Sequence, residues 1–165
     1  MTTVLTTGSF TTRKSIVALA VALGMLIGSN VRAGDRGTAE EARALLQKAA
    51  EHYKQVGRAK ALEDFTGKKA PWVDRDLYVA CSNSKHILIA NGAFPSYVGT
   101  SLDTVKDLHG TPLGESLWNE AGKGGVQSVE WHWFNPVTGK MELKTTLVQR
   151  LDADTQCSVG YYKPE

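Results

Sequence analysis

The chain has 165 residues, 42% of them hydrophobic and 22% charged, with a formal net charge of +2. The positive excess lies in the first 33 residues: Arg13, Lys14 and Arg32 fall there and no acid does, so the remainder carries −1. The basic balance therefore gives no support to nucleic-acid binding, which needs a clustered basic face on the folded part.

Arg13 and Lys14 precede a 13-residue apolar run, Ser15 to Ile27, and Val31-Arg32-Ala33 places small or permissive residues at −3 and −1. This pattern predicts a secretory signal peptide over 1–33, cleaved after Ala33. An uncleaved anchor is the alternative, but the run is shorter than the about 20 residues of a membrane span. No Cys follows the cleavage point, so a lipoprotein is not expected. Residues 34–165 then form one periplasmic or secreted domain, long enough for a real core. Two cysteines, Cys81 and Cys157, enter an oxidising compartment, which permits a disulfide between them. Such a bridge would close a loop of about 75 residues and contribute about 4 kcal/mol on the chain-entropy model. Two buried thiols are the alternative, and the spacing fits no zinc or redox motif.

Thr38-Ala39-Glu40-Glu41 has the form of a capping box. Ala42, Leu45, Leu46, Ala49, Tyr53 and Val56 then recur at helical spacing as far as Gly57, a good terminator. A shorter helix, 58–65, is stopped by Thr66-Gly67. Trp72 to Asp76 leads into a strand over 77–82, a turn at 83–86, and a returning strand over 87–90. A short helix is predicted over 102–108 with Ser101 as its cap, and another over 113–121. Then comes a long hairpin, Val129 to Arg150, turning at Asn135 to Gly139. A last strand covers 156–162. The order predicts an α+β domain of PAS or profilin type: a five-stranded, mainly antiparallel sheet, a long N-terminal helix and a helical crossover.

Within the hairpin, Val129, Trp131 and Trp133 alternate with Glu130, His132 and Phe134, and Lys144 shares a face with Glu142, Thr146 and Val148. Two readings stand. Either the hairpin is a core sheet whose lysine reaches solvent, or indoles and one cation wall a site for a small anion. The register decides whether Lys144 faces Trp131 and Trp133, because a slip of one residue would move it to the other face.

Motifs for catalysis are absent: there is no G-x-S-x-G, no H-E-x-x-H and no P-loop. The four histidines fall in four separate elements, and Asp107-x-His109 is the nearest thing to a metal pair. Asp74 and Asp76 flank Arg75, as an acid–base dyad or as turn caps paired with the arginine. The expectation is a protein that is not an enzyme and needs no cofactor or metal.

Several runs taken together resemble the single Cache sensor domain: Val73-Asp74-Arg75-Asp76-Leu77-Tyr78-Val79, Ala90-Asn91-Gly92, Val98-Gly99, Leu108-His109-Gly110, Trp133-Phe134-Asn135-Pro136 with Lys144, and Val159-Gly160-Tyr161-Tyr162. The resemblance covers roughly 40–163. It implies an extracytoplasmic module that binds a small organic acid or related metabolite. By position, it implies that Lys144 meets a ligand carboxylate and that Tyr78, Trp131 and Trp133 are pocket aromatics. Asn91 stands where many members have a histidine, and Cys81 with Cys157 matches a subset with a disulfide. His86 replaces a usual turn glycine, and Leu147 stands where an aromatic is common, implying a reshaped pocket. With three residues after Tyr162 there is no membrane span after signal cleavage, so a solitary exported form is expected. The rival expectation is an interaction module with a vestigial pocket, docking on a membrane receptor or forming a homodimer.

Overall fold

The computed structural model describes residues 1–2, 36–67 and 69–163. The expected signal peptide and its cleavage point lie outside the described residues. Among those described, no helix is long and apolar enough to cross a membrane.

Helix α1, Ala39–Val56, starts where the sequence predicts. The Thr38 hydroxyl accepts from the Glu41 amide, and the Glu41 carboxylate accepts from the Thr38 amide, so two otherwise orphaned donors are satisfied. Gly57, at φ 81°, ends the helix in a conformation that side chains disfavour. Helix α2, Arg58–Phe65, follows directly from Gly57 and buries Ala61 and Phe65. Ala42, Leu46, Ala49 and Tyr53 of α1 are buried, and its outer face carries Arg43, Lys48, Glu51 and Lys54 in solvent.

The strands are β1 (Val73–Asp74), β2 (Leu77–Asn83), β3 (Leu88–Asn91), β4 (Gln127–Phe134), β5 (Met141–Arg150) and β6 (Thr155–Tyr162). The order is β3-β2-β6-β5-β4, antiparallel at every pairing. The two-residue β1, paired with the start of β2, is an addition to the five expected strands. Helix α3, Leu113–Gly122, covers the other face of the sheet.

The hairpin register answers the question of faces. Trp131 lies opposite Lys144, and Trp133 opposite Glu142. Directly paired residues share a face, so Lys144 is on the tryptophan side. The turn spans 135–140 and is fixed by backbone bonds from Asn135 to the Lys140 carbonyl and from Gly139 to the Asn135 carbonyl.

The crossover departs from expectation. No helix forms over 102–108. One 3-10 turn, Leu102–Thr104, capped by Ser101, gives way to extended Val105. Asp107 is the cause: its carboxylate accepts from the His109 and Thr111 amides and from the Ser116 hydroxyl, and such local bonds compete with helix formation. The same bonds show Asp107 as a turn organiser rather than half of a metal pair. Leu147 also differs from expectation. It packs in the core beneath α1 with Val79, Val159 and Phe65, away from any pocket on the opposite face. Cys81 and Cys157 are cross-strand neighbours on that α1 side and are joined by a disulfide.

Candidate ligand-binding site

A cavity of about 310 Å³ lies between the second face of the sheet and the crossover with α3. Strand alternation supplies its floor. Tyr78, Ala80 and Ser82 come from β2, and Gln156, Ser158 and Gly160 from β6. Lys144 and Thr146 come from β5, and Trp131 and Trp133 from β4. Leu102, Val105, Leu113 and Leu117 close the opposite side with apolar surface. All five residues expected from the sequence at a ligand site therefore line one cavity.

Lys144 is 3% exposed. Its Nζ donates to the Tyr78 hydroxyl at 2.7 Å and lies 4.8 Å from the centroid of the Tyr162 ring. It is the one charged residue among those lining the cavity. Burial pushes its ammonium down from the ordinary 10.5 to about 7, and the charge of Asp76 opposes that shift. Burial also raises the phenols of Tyr78 and Tyr162 above their usual value, so both remain neutral. The cavity thus offers a desolvated amine beside two hydroxyl-bearing rings with no acid in contact, a setting in which an anion gains a strong charge-assisted hydrogen bond.

Gly160 makes this placement possible. A Cβ there would sit 2.1 Å from Lys144 Cε, so only glycine leaves room for the lysine stem to cross β6. The sequence reading missed this residue, although a glycine inside a strand marks a close approach of just this kind. It also missed Thr146 and Gln156, for which the alternation of β6 and β5 was the available signal.

The tryptophans are held rather than loose. Trp131 Nε1 donates to the Thr146 hydroxyl at 2.8 Å, and the two indoles stand 4.9 Å apart at 31°. Phe94 packs edge-on to both Tyr78 and Trp133. Asn91 spends its amide oxygen on the Ala93 and Phe94 backbone amides, at 3.1 and 2.8 Å. It shapes the loop that carries Phe94 and Tyr97, and its amide nitrogen has no hydrogen bond among the described residues.

The remaining candidates have structural employment. Arg75 pairs with Asp74 and Glu41. Asp76, wholly buried, accepts from the Gly37 amide at 2.6 Å and from Asn135 Nδ2 at 3.4 Å. The two aspartates do not form a dyad. His86 takes φ 61° in its turn and pairs with Asp103 at 2.8 Å, and His52 pairs with Asp64. Trp72 packs on Phe65, and Trp118 stacks on Arg150. Among the described residues no three His, Cys, Asp or Glu side chains gather as a metal site.

Three solved structures share this architecture. A methyl-accepting chemotaxis protein from Vibrio parahaemolyticus RIMD 2210633 superposes with a TM-score of 0.63 at 21% identity, over 74% of this chain and 86% of that one. A Cache chemosensory domain, solved to explain its recognition of carboxylic acids, gives 0.60 at 18% identity over 76% and 92%. The periplasmic sensor domain of a chemotaxis protein gives 0.56 at 17% identity over 76% and 90%. At these identities the likeness speaks for the fold. No curated protein matches the sequence. The family model for Single Cache domain 2 matches residues 17–160, most of the chain, and with the order of strands around the cavity it gives the conclusion that this protein belongs to the single Cache domain family of sensor domains.

Proposed function

We propose that the chain is an extracytoplasmic sensor domain that binds a small carboxylate in the cavity at Lys144. One observation carries the reading: Lys144 is a buried cation with no acid in contact, facing an apolar, tryptophan-walled space. A buried charge is costly unless paired, and a ligand carboxylate is the partner that suits it. Tyr78 shares the Lys144 hydrogen bond and would orient the carboxylate, with Asn91 Nδ2 as a further donor. Trp131 and Trp133 would exclude water from the remainder of the ligand. Carboxylic acid recognition by a structurally similar Cache domain supports the same choice of ligand class.

In this proposal residues 1–33 direct export and residue 34 onward is the working domain. The rival role, a docking module that pairs through α1, has less behind it. The outer face of α1 is charged, not apolar, whereas the cavity is well formed.

Thermal-shift measurements with a panel of mono- and dicarboxylates test the proposal. At least one acid is expected to raise the melting temperature of the wild-type protein, and Lys144→Ala to abolish that rise while keeping a cooperative transition. No rise with any member of the panel, or an undiminished rise in Lys144→Ala, would overturn it.

A further inference from the structure

We infer that the cavity has a second polar pole, built on Gln156, that takes the hydroxyl of an extended hydroxy acid whose carboxylate sits at Lys144. The inference rests on the carboxylate reading of Lys144 and adds the ligand's other end. Gln156 is 2% exposed and lines the same cavity. Its Nε2 donates to the Ser82 hydroxyl at 3.0 Å. Its Oε1 is buried and has no hydrogen-bond partner. A buried acceptor left without a donor forfeits the hydration it had in water and recovers nothing. A bound molecule that presents an O–H at that point recovers it.

The chemistry of the pole narrows the group. Arg150 is the cross-strand partner of Gln156, on the same face of the sheet. Its guanidinium lies 3.4 Å from the centroid of the Trp118 ring, its Nη2 donates to the Trp118 carbonyl at 2.6 Å, and its Nε is also buried without a partner. An ammonium group at this end would meet like charge. A carboxylate would meet the lone pairs of Gln156 Oε1. A hydroxyl is neutral and carries a donor, so it answers the orphaned Oε1 of Gln156.

The spacing sets the length. Tyr78 marks the Lys144 pole, and Ser82 marks the Gln156 pole, four residues further along β2. Four residues of strand span about 13 Å. Hydrogen bonds of about 2.8 Å at each end leave about 7 Å between the terminal oxygens of the ligand. At about 1.25 Å of advance per bond, that is an extended chain of about five carbons. A cavity of 310 Å³ lies within the range that holds whole metabolites and exceeds what a two-carbon acid would fill.

The test is calorimetric titration of the purified protein with pentanoate, 5-hydroxypentanoate and 5-methoxypentanoate. The methyl ether keeps the oxygen and removes the donor. The hydroxy acid is expected to bind about 5- to 10-fold more tightly than either of the others. In Gln156→Met that ratio is expected to fall to about one. If the wild-type protein binds pentanoate and the hydroxy acid equally, or if the ether matches the hydroxy acid, the second pole is overturned while the carboxylate site stands. If the preference survives in Gln156→Met, the assignment to Gln156 is overturned. If none of the three binds while another acid of the carboxylate panel does, the second pole is overturned and the carboxylate site stands; if no acid of the panel binds either, the carboxylate reading falls and this inference with it. The wild-type series decides the matter even if Gln156→Met fails to fold.

Discussion

Lys144 and Glu142 are two residues apart on one strand and point to the same side of the sheet, yet they live in opposite electrostatic worlds. Glu142 accepts from Arg36 at 2.6 and 3.0 Å, from Asn135 at 2.9 Å and from Thr138 at 2.7 Å. Those partners, the arginine first, hold its carboxyl down at about 2. Lys144 has one phenol and no acid in contact, and burial pushes its pKa down to about 7 against the opposing charge of Asp76. The first group is finished by the fold. The second is left for something that the fold does not supply. A saturated buried charge clasps structure together, and an unsaturated one beside a cavity marks where a ligand contributes the missing half.

This contrast can be broken by substitution. Glu142→Ala should cost about 3 kcal/mol, because it removes the buried acceptor that Arg36, Asn135 and Thr138 share; urea unfolding would show it as a lower midpoint at unchanged slope. Gly160→Ala should cost about 2 kcal/mol through forced repacking of the Lys144 stem, and it should weaken carboxylate binding at least in proportion. Lys144→Met should move ligand-free stability by about 1 kcal/mol or less, towards greater stability, since it removes a desolvated charge and keeps the volume. A loss like that of Glu142→Ala would mean that the lysine is structural cement.

The same contrast has a pH signature. Glu142 has a folded pKa below its unfolded value, so its contribution is complete above about 4.5 and is lost as pH falls towards 2. Lys144 has a folded pKa below the unfolded 10.5, so between about 7 and 10.5 the unfolded chain binds the extra proton. Ligand-free stability should therefore rise with pH across that window. Lys144→Met should remove that rise, while Glu142→Gln should flatten only the acid limb. Chemical denaturation at stepped pH separates the two.

Local chemistry was legible in the sequence and long-range partnership was not. The Thr38–Glu41 box and Gly57 named the ends of α1, because caps involve residues three or four apart. Alternation put Trp131 and Trp133 on one face and Lys144 on another list of residues. Only the 135–140 turn, closed around a buried Asn135, showed that the two faces are the same. The helix expected over 102–108 does not form because Asp107, tolerable in a helix by pattern, spends its carboxylate on two later amides. Glu142 and Asp76 could not be paired in advance, since Arg36 and Gly37 lie 106 and 39 residues away from them. Gln156 passed as one more strand residue. Its importance lies in a bond that it fails to make, which no periodicity reports.

The most direct measurement is the pKa of Lys144 itself, followed by NMR of lysine-labelled protein with and without the monocarboxylate that gives the largest thermal shift. A value near 7 in the free protein that climbs by more than one unit on saturation is what a carboxylate seated on the ammonium requires. A value near 10.5 without ligand, or one that stays in place when the ligand binds, would contradict the account.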